Sequence, residues 1–426
     1  MSSEHELPET PLSPEVRQRM RSLRLLVIAN TYPDAAITKA GSTFIREQVE
    51  EIAKHVESVT VLSPTPIGIH LKRGFKQEPY RVGNVRVEFL PYLNFPLFYF
   101  VGRRAWVRLA TRRIRKFIRD ENLEFDLIHA HMSWPSGAIG VELKREFGVP
   151  LVITEHFHKL PLRQYARGDR LLRETYEEAD LLIRVNPFEI ETMQKFAPRA
   201  NIDFISNGFD PAKTSVVSKA EARARLGIET RGPLLFTLGT LLPKKGHIYL
   251  LEAVRKLRDS GRPVQCFVGG EGYLQPSLRK WVLTNRLSQD IVFLGHIPNH
   301  ELNLWFRAAD LFVLPSIHES FGIVQLEALA CGTPVVASAT VGSRTVVSSP
   351  DVGILTPIAD STALAAAIED GLMRRWDGDV IRNFAWRFTW AAVGSELLKR
   401  YHVLLTSGDQ TDAPSPQVST GRSGAS

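Results

Sequence analysis

The sequence predicts an α/β protein of two domains, each built on a doubly wound parallel sheet. Its 426 residues are too many for one ordinary domain and suit two domains of about 200 residues each. Short apolar runs alternate with longer helical patterns, and this alternation starts again after Pro211. Continuous apolar strands separated by helices are typical of parallel sheets covered on both faces. Ligands bind such sheets outside the carboxyl ends of the strands, so we expect the functional residues there.

Five apolar runs in each half of the chain are the predicted strands. In the first half they are Leu25–Ala29, Val59–Leu62, Leu127–His129, Leu151–Thr154 and Leu181–Val185. In the second half they are Leu234–Leu238, Gln265–Val268, Ile291–Leu294, Leu311–Leu314 and Val335–Ala337.

The predicted domain boundaries follow from turn residues and composition. Turn chemistry at Asn207–Pro211 separates an N-terminal domain of residues 22–210 from a C-terminal domain of residues 211–385. A last helix over residues 386–406 is a candidate to cross back to the N-terminal domain. The polar ends, residues 1–21 and 407–426, are predicted to be disordered tails.

Composition and charge exclude several classes of protein. With 44% hydrophobic and 23% charged residues the chain is globular, and it contains no apolar run of about 18 residues and no visible secretory signal. Two cysteines, Cys266 and Cys331, cannot form a disulfide framework. The net charge of +7 is spread over both halves, so the basic tail of a nucleic-acid-binding protein is missing. We expect a cytoplasmic two-domain enzyme without a nucleic-acid partner.

The strongest local signal lies at the end of the predicted strand Leu311–Leu314. A loop carrying Glu319 follows, and Ser320 is predicted to cap a helix over residues 321–330 that ends at Gly332. The N-terminus of such a helix attracts anions. Glu327 lies on the same helix and leans towards its N-terminus, so both carboxylates could serve one elongated ligand.

These residues resemble the signature of the family 4 glycosyltransferases, retaining enzymes of the GT-B fold. The resemblance covers residues 24–385 and includes the Glu-x7-Glu element with Ser-Phe-Gly after its first glutamate. Its other segments, in the family's order, are Gly41–Gln48, Asp126–His131, Val152–His156, Ser206–Asp210, Leu238–Gly246 and Gly269–Gly272.

The resemblance implies a role for each matching residue. Glu319 would bind hydroxyls of the donor sugar, and Glu327 the two ribose hydroxyls. Lys245 would bind the diphosphate, and His156 would face the donor sugar across the cleft. The remaining donor-binding residues that it implies are Gly41, Thr240, Lys244, Gly270, Glu271, Ser320, Phe321, Gly322 and Ile323.

Two departures from the family pattern concern the donor site. Thr240 stands where the family usually has an arginine that clamps the leaving phosphates, and Lys244 is a candidate to replace it. Ser343 and Thr345 stand where glycine and glutamate are common. Neither a metal ion nor another cofactor is expected, since cationic side chains and helix N–H groups can stabilise the departing diphosphate.

The predicted function is retaining transfer of a sugar from a nucleotide diphosphate sugar to a hydroxyl acceptor. The resemblance favours a growing or lipid-linked saccharide in polysaccharide or glycolipid biosynthesis as the acceptor. One alternative is another GT-B enzyme, such as an epimerase. The other, motivated by Thr240, is a nucleotide-sugar-binding pseudoenzyme that serves as a subunit of a transferase complex.

Simpler interpretations stand beside these roles. His156 could be a structural histidine, because His129, His131 and His158 lie in the same half, and Asp377–Asp379 is interpreted as a turn rather than a metal motif. The basic segment Arg103–Arg119 is either a helix packed on the sheet with a solvated cationic face or an anchor to the anionic inner face of the cell membrane.

Overall fold

A computed structural model describes residues 12–36, 43–67, 77–93, 102–156, 165–214, 217–229 and 232–411. Its strands, β1 to β14 in chain order, are Arg24–Ile28, Ser58–Ile67, Tyr80–Val82, Val85–Leu93, Leu127–His131, Leu151–Glu155, Leu181–Arg184, Ile202–Phe204, Leu234–Leu238, Gln265–Gly269, Ile291–Gly295, Leu311–Leu314, Val335–Ser338 and Gly353–Thr356. Its α-helices, α1 to α15, are Pro14–Met20, Thr43–Ala53, Arg103–Asp120, Ala138–Phe147, Arg170–Glu178, Ile190–Phe196, Lys219–Arg225, His247–Asp259, Gln275–Thr284, Asn299–Ala308, Ile323–Ala330, Val341–Val346, Ser361–Met373, Gly378–Trp386 and Trp390–Thr411.

The N-terminal domain holds an eight-stranded sheet in the order β3-β4-β2-β1-β5-β6-β7-β8. All neighbouring strands run parallel except the short edge strand β3, which pairs antiparallel with β4. Both faces of the sheet are covered. Leu25 and Val27 pack into one apolar cluster and Leu26 and Ile28 into the other. Burial on both faces explains why these strands are continuously apolar.

The C-terminal domain holds a six-stranded parallel sheet in the order β11-β10-β9-β12-β13-β14. Its strands also bury side chains on both faces, with Leu235 in one cluster and Phe236 in the other. The strand order reverses at β9, which lies between β10 and β12. The crevice outside such a reversal is where α/β sheets bind ligands.

The predicted fold class, two doubly wound parallel-sheet domains, is confirmed. Each of the ten predicted strands is present. The strands β3, β4, β8 and β14 were not predicted from the sequence, and β3, β8 and β14 lie at sheet edges. β3 and β4 form a hairpin around Gly83, and β8 has only three residues, so neither presents the long continuous apolar run of a central strand.

Both chain ends differ from the predicted tails. Helix α1, Pro14–Met20, lies inside the expected disordered segment, because Val16 and Met20 are buried in the core of the N-terminal domain. Helix α15 continues past residue 407 to Thr411. It lies against the N-terminal domain, where Tyr401 is fully buried and the Trp390 indole donates to Glu47.

Candidate active site

The candidate donor site lies at the carboxyl edge of the C-terminal sheet, where the loops after β9 and β12 meet. The N–H groups of Ile317 and His318 donate to the carbonyl of Lys244 at 2.8 and 3.2 Å. Gly246 has a φ of 64°, and a Cβ there would lie 2.0 Å from the carbonyl oxygen of Pro315. Only glycine allows the two backbones to come this close. Gly246 therefore lets the loop after β9 pack directly on the loop after β12.

This arrangement brings together two predicted site residues that are far apart in the sequence. The Nζ of Lys245 lies 2.5 Å from a carboxylate oxygen of Glu319, and their side chains are only 18% and 14% exposed. Partial burial strengthens the attraction between the two charges. The two groups are therefore already held together. The Lys245 ammonium can bind a diphosphate, and the Glu319 carboxylate can accept a hydrogen bond from a sugar hydroxyl.

The helix after Glu319 begins later than the sequence predicted. The predicted cap, Ser320, is wrong: the N-cap is Gly322, with a φ of 84°, and the helix runs from Ile323 to Ala330. A Cβ on Gly322 would lie 2.2 Å from Nε2 of Gln325 and 3.0 Å from Cγ of Glu319, so the tight turn requires glycine. The first N–H groups of the helix lack intrahelical partners and lie next to the Lys245–Glu319 pair.

Helix α12 supports the loop that carries Glu319. The N–H of Gly342 donates to the carbonyl of Glu319 at 3.1 Å, and a Cβ on Gly342 would lie 2.6 Å from the nitrogen of Phe321. Ser343, one of the departures from the family pattern, is fully buried and bonded to the helix-capping Thr340. Thr345 donates to the carbonyl of Val341. The hydrogen bonds of Ser343 and Thr345 therefore lie within helix α12 and its N-cap.

The other predicted donor-binding residues lie in the loops after β9 and β10, which pack closely on each other. Gly270 has a φ of 107°, and its Cβ would lie 2.2 Å from the carbonyl oxygen of Gly239. The backbone carbonyl of Glu271 accepts from the N–H of Leu241 at 2.8 Å. Thr240 is exposed between them, as is Lys244 a few residues further on. Lys244 is thus an exposed cation, and its replacement of an arginine at position 240 stays a prediction.

Glu327 lines a cavity of about 180 Å³ between the two domains. It lies one helical turn after Ile323, across from Arg46 of α2 and beside Asn299 and Asn303 of α10. From helix α11 only Glu327 lines this cavity, and neither Lys245 nor Glu319 is among its lining residues. Gly41, predicted to approach the phosphates from the N-terminal domain, lies outside the described residues, as does His158.

His156 lies directly after β6 in the N-terminal domain and is 8% exposed. Its Nε2 is 3.1 Å from Nδ1 of His131 at the end of β5, and its ring is 4.8 Å from that of Phe44. Burial, the positive charge of Arg184 and the nearby His129 lower the pKa of His156 to about 3. The imidazole is therefore neutral near pH 7 and carries a single N–H.

His129 and His131 belong to the same histidine cluster as His156, and the sequence analysis gave them no role. The ring centroids of His129 and His131 are 4.4 Å apart, and His129 is hydrogen-bonded to Thr154 Oγ1 at 2.8 Å and to the Tyr401 hydroxyl at 2.7 Å. Tyr401 comes from the last helix, so only the folded chain shows this contact. The His-x-His spacing on one strand is the signal that could have linked His129 to His131, because alternate residues share a face.

The buried imidazoles make the free energy of unfolding depend on pH. Burial lowers the pKa of His129 to about 3, whereas an unfolded histidine titrates near 6.5. As the pH falls below about 6.5, the unfolded chain binds protons that the folded chain does not, so stability present above this pH is lost towards pH 3. We expect His129→Gln to flatten the fall in the free energy of unfolding between pH 7 and 5, measured by urea titration. Equal slopes for both proteins would contradict this assignment.

The two domains touch beside these residues. Nδ2 of Asn186, after β7, donates to the carbonyl of Ser320 at 3.2 Å. The guanidinium carbon of Arg344 lies 4.3 Å from the ring centroid of Phe188. Asn186 is itself bonded to Glu189, which pairs with the buried Arg184. The N-terminal domain thereby reaches the loop that carries Glu319.

The basic segment Arg103–Arg119 is helix α3, and its apolar face packs on the sheet. Trp106, Ala110 and Ile114 are buried in the core, so this face is not available to enter a membrane as an amphipathic anchor would. Several cations on the other face are paired, for example Arg115 and Arg119 with Glu146. The aromatic stretch Pro96–Val101 lies outside the described residues. None of the described helices is long and apolar enough to cross a bilayer.

Two further observations concern metals. Within the described ranges, His, Cys, Asp and Glu side chains form no group of three or more that could hold an ion. Asp377 caps helix α14, accepting from the N–H groups of Asp379 and Val380 at 2.8 and 3.1 Å. The interpretation of Asp377–Asp379 as a turn is therefore wrong, because Asp379 lies in the first turn of this helix.

The sequence matches two family models in succession. Residues 41–213 match the model described as Glycosyltransferase Family 4, and residues 218–375 match Glycosyl transferases group 1. The chain is 33% identical over 316 residues to a D-inositol 3-phosphate glycosyltransferase from Frankia alni, covering 66% of this chain and 75% of the relative.

Solved structures resemble the whole fold. Sucrose-phosphate synthase from Thermosynechococcus elongatus superposes with a TM-score of 0.72 at 22% identity, covering 90% of this chain and 100% of the other. HepE from Anabaena, in complex with UDP and glucose, superposes with a TM-score of 0.61 at 20% identity, covering 91% and 99%. At such identities the likeness concerns the fold.

Proposed function

The chain belongs to the family 4 glycosyltransferases, and we propose that it moves a sugar from a nucleotide diphosphate sugar to a hydroxyl of a phosphorylated polyol. The Lys245–Glu319 pair at the start of helix α11 supports this proposal most directly, because it offers one group for the diphosphate and one for the sugar. The nucleotide donor is further supported by the Anabaena structure, which was solved in complex with UDP and glucose.

The proposed donor pose extends along helix α11. The sugar lies at Glu319, the diphosphate at Lys245 and the N–H groups of Phe321, Gly322 and Ile323, and the ribose at Glu327. The positive charge and the helix N-terminus act on the leaving diphosphate as its negative charge grows. Transfer in this proposal is metal-independent.

The proposed stereochemical course is retention by attack on the same face of the sugar. The leaving phosphate accepts the proton of the acceptor hydroxyl as the new glycosidic bond forms. His156, neutral and buried, contributes a hydrogen bond rather than a charge at the sugar. Closure of the cleft keeps water from hydrolysing the donor.

A phosphorylated polyol is proposed as the acceptor in place of the lipid-linked saccharide that the sequence favoured. The relatives are named for D-inositol 3-phosphate. A membrane anchor at α3 would have supported a lipid-linked acceptor, but the apolar face of this helix is buried in the core. A lipid-linked or growing saccharide therefore serves as the comparison acceptor in the test.

The test is release of nucleoside diphosphate from a panel of donors, with myo-inositol 3-phosphate or a lipid-linked saccharide extract as acceptor. The assay is run in chelator. We expect release that depends on the phosphorylated acceptor and survives chelation. Release restored only by a divalent ion would contradict metal independence. Nucleotide binding without release from any donor and acceptor would favour the pseudoenzyme.

Glu327→Ala is expected to weaken binding of the bare nucleoside diphosphate about 10-fold or more. A carboxylate that accepts two ribose hydroxyls contributes charge-assisted hydrogen bonds of about 1.5–3 kcal/mol each. Calorimetric titration measures the affinity, with Glu221→Ala on the outer helix α7 as a control that should bind normally. Unchanged affinity in the Glu327 variant would remove the ribose assignment.

Contact of α3 with an anionic membrane is also part of the proposal, through charge alone. Arg108 and Arg112 are exposed and Arg113 is partly so. We expect weak sedimentation with anionic vesicles that disappears as salt rises, since each basic residue near such a surface contributes about 1 kcal/mol. Replacing these three arginines with glutamine should abolish it. Equal binding to neutral vesicles would show that charge is not the cause.

A further inference from the structure

Arg103, the first residue of helix α3, is held at the carboxyl edge of the N-terminal sheet by two contacts. Its guanidinium carbon lies 4.3 Å from the ring centroid of Trp134, in the loop after β5. Its Nη1 pairs with the carboxylate of Asp169, which in turn caps helix α5 by accepting from the N–H of Leu172 at 2.9 Å. Three separate elements therefore fix the orientation of this guanidinium.

The opposite edge of the Arg103 guanidinium is formed by its Nε and Nη2 atoms. Its Nε and Nη2 atoms are both buried, and neither finds a hydrogen-bond acceptor among the residues the structure describes. The side chain as a whole is 18% exposed. Buried donors are normally satisfied, so two adjacent orphan donors on one charged group indicate a missing acceptor.

The chemistry of this edge defines the missing acceptor. Nε–H and one N–H of Nη2 point in parallel and match two oxygens of a carboxylate or phosphate. Arg24 of the same domain shows the satisfied arrangement: its Nε and Nη2 bind the two carboxylate oxygens of Asp126 at 3.1 and 2.7 Å. Arg103 presents the same edge without the anion.

The position of Arg103 connects it to the proposed transfer reaction. Trp134 follows β5 by three residues, and β5 ends at His131, which is bonded to His156 at 3.1 Å. Arg103 and His156 therefore belong to the same edge of the acceptor domain. The Lys245–Glu319 pair belongs to the other domain, so an anion bound at Arg103 would be separate from it.

We propose that the Nε and Nη2 edge of Arg103 binds a phosphate monoester of the acceptor and so orients its hydroxyl towards the donor sugar. This inference rests on the proposed function. The orphan edge of the guanidinium carries it, and the name of the relatives agrees with it. Bidentate binding fixes both the position and the rotation of the phosphate. Arg103 thereby selects phosphorylated acceptors over neutral ones.

The experiment compares binding and transfer in matched variants. Arg103→Gln removes the charge, and Arg103→Lys keeps a charge for Asp169 but cannot present two parallel N–H groups. Arg104→Gln is the control, because Arg104 is 53% exposed and pairs with Glu174 on the protein surface. The probes are myo-inositol 3-phosphate, myo-inositol and inorganic phosphate, titrated by calorimetry with UDP present. Thermal melts check the fold of each variant.

We expect the unchanged protein and Arg104→Gln to bind myo-inositol 3-phosphate at least 10-fold more tightly than myo-inositol. Arg103→Gln should lose this preference and Arg103→Lys most of it, with the acceptor KM raised and UDP affinity unchanged. Equal affinity for both inositols in the unchanged protein, or full phosphate binding in Arg103→Gln, would overturn the proposal. So would failure of every phosphate probe to bind. Loss of UDP binding by the unchanged protein would instead count against the proposed function.

Discussion

Lys245→Ala is expected to lower the rate of sugar transfer about 10²-fold or more. The diphosphate leaving group gains negative charge as the glycosidic bond breaks, so a preformed cation aimed at it acts mostly in the transition state. Lys245 is held for this task by Glu319 at 2.5 Å, and Thr240 cannot supply a second charge. Steady-state kcat and KM for the donor measure the loss, and Lys256→Ala, on an exposed lysine of α8, is the control.

The ion pair adds a second expectation to this experiment. Glu319→Gln should lower kcat more than it lowers affinity for the bare nucleoside diphosphate, because its contacts are to the sugar. The double variant should lose less than the product of the two single effects, since each single change leaves the other group partly buried without its partner. Effects that simply multiply would show that Lys245 and Glu319 act independently.

The central part of the fold could be predicted because its signals are local. Runs such as Leu127–His129 and Leu311–Leu314 are apolar on both faces, which only strands buried on both sides require. The hairpin of β3 and β4 was not predicted, because in β4 buried residues alternate with more exposed ones. Helix α1 was not predicted, because its burial depends on helix α15, which is distant in the sequence.

The positions of the candidate site residues could be predicted from the sequence, their contacts could not, and their roles stay predictions. The position of Glu319 after strand β12 followed from the sequence, but no sequence pattern gives its pairing with Lys245. The same holds for Arg103, which the sequence analysis included in the basic segment Arg103–Arg119 without giving it a role of its own. Its stacking on Trp134 and its pairing with Asp169 join three loops that only the tertiary fold brings together.

Gly246→Ala is expected to disrupt the donor site although it removes no functional group. A Cβ at this position would lie 2.0 Å from the carbonyl oxygen of Pro315, and φ is 64°, where a side chain is strained. The backbone must therefore move, and Lys245, the preceding residue, moves with it away from Glu319. We expect the transfer rate to fall about as far as in Lys245→Ala, measured by nucleoside diphosphate release.

Gly261→Ala separates the effect of the close contact from the effect of backbone strain. Gly261 has a φ of 77°, but a Cβ there would meet no atom within 4 Å. Both variants incur the left-handed backbone penalty of about 1–2 kcal/mol. Only Gly246→Ala adds the collision with Pro315, so urea unfolding should show the larger destabilisation in this variant. Gly261→Ala should keep its transfer rate. Equal stability losses and equal rates in the two variants would contradict the view that close packing of these loops holds Lys245 against Glu319.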